Sequence, residues 1–130
     1  MVGIDPGLTR CGFAVVDAIK GSHVQARALG AFTTSAQMEL PNRLASLQRD
    51  VRELLDEFSP DAVAIEKVFF QVNVKTAMSV GQASGVALAE AASSGCIVAQ
   101  YTPNEVKMSI AGYGGDRKST RLNSSHLVIS

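Results

Sequence analysis

The chain has no tryptophan, two cysteines, two histidines and only 5% aromatic residues in 130 positions, and its formal charges cancel. Each shortage removes a class of function. Cys11 and Cys96 lack metal-site spacing and are too few for a disulfide scaffold, so they read as small buried residues or free thiols. His23 is the sole histidine before residue 116, which argues against a histidine-based zinc site or nucleophilic triad. No apolar stretch is long enough to span a bilayer, and no charged leader with an apolar segment and cleavage site is visible. A cytoplasmic protein without membrane contact is the expectation. Balanced charge gives no bulk attraction for polyanions, so any nucleic-acid surface has to be a local patch.

Composition also depends on how the tail is read. The segment DRKSTRLNSSH, residues 116–126, matches the translation of a common sequencing-adapter oligonucleotide, and Ile129 and Ser130 fit its continuation. Residues 116–130 are therefore expected to be a non-native tail and are set aside, the alternative being a natural Ser/Arg-rich extension. Residues 1–115 then form one domain. Without Asp116, Arg117, Lys118 and Arg121, the twelve basic and twelve acidic residues fall to nine and eleven, a net of −2.

What the chain does have is two acids at the ends of apolar runs: Asp5 in VGIDPG and Glu66 in AVAIEKVFF. A strand buried on both faces reads as a continuous apolar run, and an acid at its tip stands where the backbone turns toward solvent. Taken singly, either acid reads equally as a solvated turn residue or a helix cap. Together, in these contexts, they read as a pair able to share a divalent cation.

The remaining pattern predicts strand, strand, strand, helix, strand, helix, strand, helix. Pro6 and Gly7 set a turn after the first strand, and an apolar run over 12–16 supplies a hairpin partner. Val24, Ala26 and Ala28 alternate with Gln25, Arg27 and Leu29, predicting a third strand with one buried face. Leu40, Leu44, Leu47, Val51, Leu54, Leu55 and Phe58 recur at helical spacing between Pro41 and Ser59-Pro60, the pattern of a sheet-covering helix. A second helix over 76–92 is rich in Ala, Gly and Ser. Ala77, Gly81 and Gly85 share a face that would pack either on the sheet or against another helix in a homodimer. Residues 96–101 read as a strand, and Thr102-Pro103-Asn104-Glu105 as the start of a third helix.

GIDPGLTRCG, then AIEKVFFQVNVKTAMSVGQASGV, then TPNEVKMSIAGYGG resemble, in that order and spacing, the bacterial RuvC family of Holliday junction resolvases across residues 1–115. The resemblance implies a ribonuclease-H-like α/β fold: three antiparallel strands joined to parallel ones in a mixed sheet, with helices on both faces. It also implies a magnesium-dependent homodimeric endonuclease that places symmetric nicks in a four-way DNA junction during recombination and repair. Partnership with the RuvA and RuvB branch-migration complex follows from the same likeness. Asp5 and Glu66 would be catalytic and metal-binding, with two Mg²⁺ ions per site. Carboxylates crowded together raise one another's pKa and are relieved by a hard, oxygen-seeking cation.

The resemblance further assigns Phe69 to stacking on an unpaired base at the junction centre and matches Lys107 to a family basic position. Lys75 and Lys107 are candidate phosphate contacts, each also readable as an ordinary solvated lysine. Phe69 and Phe70 could instead fill and cap the core. The family's further acids, on a C-terminal helix with a DAADALA-like segment, have no counterpart here; the expectation is a shortened, inactive chain lacking that helix. Two other classes stay open. DPGLTRCG also resembles the phosphate hairpin of sugar-kinase and actin-like ATPases, though no second phosphate loop or adenosine-binding segment is visible. A non-catalytic junction-binding module is the third.

Overall fold

The computed structural model describes residues 1–18, 24–67 and 74–102. In chain order the elements are β1 (Val2–Asp5), β2 (Arg10–Ala18), β3 (Val24–Thr33), α1 (Leu40–Phe58), β4 (Ala62–Glu66), α2 (Val74–Ser93) and β5 (Ile97–Tyr101). The first seven elements follow the order predicted from sequence; the eighth, a helix after Thr102, lies outside the described residues.

The strands form one sheet in the order β3-β2-β1-β4-β5. β1, β2 and β3 are antiparallel neighbours, whereas β1–β4 and β4–β5 are parallel. The parallel pairs need crossovers, and α1 and α2 supply them. β1 can be short because it is central, flanked on both sides. Val2, Ile4, Val63 and Ile65 are all at most 2% exposed, which explains why these strands read as unbroken apolar runs.

Both described helices pack on one face of the sheet. Leu47, Val51, Leu54 and Leu55 of α1 share a core with Val2, Ile4, Cys11, Val15, Val63 and Ile65. Pro41 occupies the first turn of α1, and Ser59 closes the helix in the left-handed region at φ 42°, its N–H donating to the Leu55 carbonyl. Ala83, Ala87 and Ala91 of α2 enter the same core. The opposite sheet face carries no helix among the described residues, so of the helices expected on both faces, only one layer is described.

Two details refine the predicted pattern. Of the face shared by Ala77, Gly81 and Gly85, Ala77 is buried but Gly81 and Gly85 have open space where a Cβ would stand, so α2 meets the core mainly through Ala83, Ala87 and Ala91. In β3, Ala28 packs on the core but Ala26 is exposed. The register shifts between Val15 and Val16, and Arg27 is the extra residue of this bulge. A bulge resets the two-residue alternation. Arg27 consequently lies over the Phe58 ring, 5.4 Å from its centroid, and pairs with Asp17 at 3.4 Å.

Candidate functional site

Parallel pairing of Ile4 with Ile65 brings Asp5 and Glu66 side by side, because parallel strands release their last residues at the same sheet edge. Gly12 stands opposite Asp5 across the antiparallel pair, where a methyl group would make ordinary contact, 3.8 Å from the Asp5 Cβ. The turn that aims Asp5 is tight. A Cβ on Gly7 would collide with the Arg10 carbonyl oxygen, so only glycine fits there. Behind the turn, Thr34 Oγ1 donates to the Leu8 carbonyl at 2.6 Å, and Arg43 donates to Thr34 Oγ1 at 3.0 Å and Thr9 Oγ1 at 3.2 Å. α1 thus tethers the loop between β1 and β2.

The two carboxyls stand at adjacent strand ends, close enough for Asp5 to act on Glu66. Burial, the hydrogen bond with Asp5 and repulsion from its charge together push the Glu66 carboxyl up to about 7. A proton shared between crowded acids is the electrostatic condition that a divalent cation relieves. Tyr101, paired in register with Glu66, is pushed up to about 12 by burial and by the two neighbouring carboxylates. Its hydroxyl remains a neutral donor. The buried Cys11 thiol is pushed up to about 11, chiefly by burial, so it is an inert core residue. Both cysteines are free thiols.

A cleft of about 580 Å³ opens over this edge, with Asp5, Arg10, Gly12, Glu66 and Tyr101 among its walls. Asp5 and Glu66 are therefore brought together. Lys75 is exposed near the start of α2 and does not line the cleft. Phe69 and Lys107 lie outside the described residues. Among the described residues no third acid, histidine or cysteine joins the pair to make a metal cluster, and no helix is long and apolar enough to cross a membrane.

Arg10 and Tyr101 were not singled out from sequence. Tyr101 carried a usable signal: it ends the run IVAQY, just as Glu66 ends AVAIE, and parallel strands bring such ends to one edge. Arg10 offered no comparable sign, since its face depends on pairing with β1 and β3.

The chain matches the family described as crossover junction endodeoxyribonuclease RuvC over residues 1–128. It is 48% identical over 114 residues to the crossover junction endodeoxyribonuclease RuvC of Thermobifida fusca, covering 88% of this chain and 63% of that protein. The chain thus spans less than two thirds of the length of this relative. Among solved structures, T. thermophilus RuvC in complex with a Holliday junction substrate superimposes with a TM-score of 0.77 at 34% identity, covering 85% of this chain and 72% of that one. The yeast mitochondrial Holliday junction resolvase Ydc2 shares the fold, with a TM-score of 0.69 at 13% identity, covering 86% and 54% of the respective chains. The mixed five-stranded sheet is of the ribonuclease-H-like type, and the chain belongs to the RuvC crossover junction endodeoxyribonuclease family.

Proposed function

We propose that this chain carries the nuclease half-site of a Holliday junction resolvase, with Asp5 and Glu66 as its metal-binding catalytic carboxylates. The observation that carries the reading is the carboxyl pair itself, at the ends of two adjacent parallel strands and in the walls of one cleft, with Glu66 pushed up to about 7. The likeness to a RuvC solved on a junction supports the choice of substrate.

The donor set fits Mg²⁺. The acids at positions 5 and 66 share the cleft, and among the described residues of its walls no histidine or cysteine side chain competes with them, the other polar side chains there being the Tyr101 phenol and the Arg10 guanidinium. Asp5, central in the sheet, and Glu66 would hold the ions, with Glu66 also orienting the attacking water. When bound, the ions supply a positive field that makes that water nucleophilic at neutral pH and offsets charge on the departing 3′ oxygen. Tyr101 stays protonated beside Glu66 and limits solvent on that flank. Residues 1–115 are the unit that carries this site, in the cytoplasm.

Paired nicks require two such sites, hence a homodimer. Its interface would use α2, where Val74 and Met78 are 75% and 61% exposed and Gly81 and Gly85 leave room for a second backbone. A groove lined by Pro41, Leu44, Gln82, Gly85 and Val86 runs beside it. Phe69 stacking on an unpaired base, Lys75 and Lys107 on phosphates, and handover from RuvA and RuvB complete the proposal by family likeness.

The test is nicking of a labelled mobile four-way junction with Mg²⁺. In a full-length relative carrying this segment, changing the residues equivalent to Asp5 or Glu66 to amides should abolish paired nicking while preserving junction binding. Undiminished nicking by either amide variant would refute the assignment.

A further inference from the structure

Arg10 stands in the same cleft as Asp5 and Glu66 and has no assigned part. It opens β2 immediately after the turn that follows Asp5. Its register partner is Thr33, and Gly12, two residues on, is the partner of Asp5. Residues two apart on a strand point to the same face, so Arg10 emerges on the Asp5 side of the sheet, away from α1 and α2. Four adjacent strands therefore present one side chain each along this edge: Arg10 from β2, Asp5 from β1, Glu66 from β4 and Tyr101 from β5.

The guanidinium is exposed and lacks an ion-pair partner among the described residues, where the pairs are Arg27 with Asp17 and Arg52 with Glu90. The neighbouring Arg43 is already engaged, turned inward onto Thr34 and Thr9. Gly3, Gly12, Ala14 and Gly30 line the cleft beside Arg10, with Phe13 and Leu29 as its larger apolar walls, and the small residues leave a floor that a sugar-phosphate backbone can approach. A phosphodiester nearing two carboxylates is repelled by them, and a planar guanidinium at the rim both offsets that repulsion and matches two phosphate oxygens at once.

We infer that Arg10 binds a backbone phosphate of the DNA strand on the β2 side of the carboxylate pair, and so sets which phosphodiester lies over Asp5 and Glu66. This rests on the nuclease reading above and adds a substrate-holding residue to it.

The experiment uses the 130-residue chain and a fluorescent four-way junction in Ca²⁺, with binding measured across a salt series. Arg10→Ala should weaken binding about tenfold at low salt and lower the slope of log K against log salt by about 0.9, one phosphate contact. Arg10→Lys should keep the slope, and Arg49→Ala, an equal charge change on α1, should alter neither quantity. Arg10→Gln, closer in size, guards against a folding artefact and should behave as Arg10→Ala. An unchanged slope in both neutral variants, or an equal loss in Arg49→Ala, overturns the Arg10 assignment alone. Failure of the unsubstituted chain to bind the junction overturns the nuclease reading together with it.

Discussion

Asp5 and Glu66 leave adjacent parallel strands one residue beyond the Ile4–Ile65 pair, so both carboxyls occupy one strand spacing at the same edge of the sheet. The apolar residues before them are fully buried, and the acids therefore cannot drift apart without disturbing the core. Their mutual repulsion is held in place by packing, which is the condition for a strong response to pH and to cations.

Stability should fall as pH rises from about 4.5 to about 7 and level off above. The Glu66 carboxyl is raised from an ordinary 4.5 to about 7, so across that window the folded state holds a proton that the unfolded state has lost, and ionising it disfavours folding. Each tenfold gain in proton affinity on folding corresponds to at most about 1.4 kcal/mol, reduced here because the cleft is open to water. Thermal melts at stepped pH, compared between the unsubstituted chain and Glu66→Gln, isolate this contribution: the variant should lose the slope and be the more stable at pH 8.

Mg²⁺ competes with the shared proton. Adding it should raise the melting temperature more at pH 8 than at pH 5.5, and Asp5→Asn should remove the increment at both. An equal rise at both pH values would show that the ion binds elsewhere.

Gly7→Ala should destabilise the fold by about 1–3 kcal/mol, because the added methyl meets the Arg10 carbonyl. Chemical denaturation gives the value. Since Gly7 sits between Asp5 and Arg10, the same variant should bind the junction more weakly even where it is folded.

Leu47→Ala should cost about 2–5 kcal/mol, since Leu47 is 1% exposed at the centre of the helix–sheet core. Leu29→Ala, at a side chain 73% exposed on the opposite face, should change stability little. The contrast checks that the core lies on one side of the sheet, and denaturant midpoints suffice to read it.

With two carboxylates and no third among the described residues, the 130-residue chain should bind a junction in preference to duplex yet leave it uncut in Mg²⁺. Robust paired nicking by this chain would mean that the two acids are enough.

Several features were legible locally. α1 begins and ends at the predicted residues because Pro41 starts the helix and Ser59-Pro60 stops it, effects that act within a turn of chain. The strand-end acids were visible because a doubly buried strand has to be apolar up to the edge. The small-residue face of α2 was legible as a pattern but not in orientation: Ala83, Ala87 and Ala91 meet the core, not Gly81 and Gly85. Glu90 illustrates the same limit. It is 7% exposed, held by Arg52 at 2.8 Å and Gln48 at 2.8 Å from α1, and the hydrogen bonds from these partners hold its carboxyl below the usual range.

The order of elements, the limits of α1 and the presence of acids at strand tips were determined by the amino-acid sequence alone, because propensity, turn chemistry and burial pattern act over neighbouring residues. Tertiary structure decided which tips became neighbours, that Arg10 and Tyr101 join them, that Arg27 bulges out of register, and which face of α2 is buried. These depend on strand order, register and helix rotation, which are set by contacts between residues far apart in the chain, and no local pattern contains them.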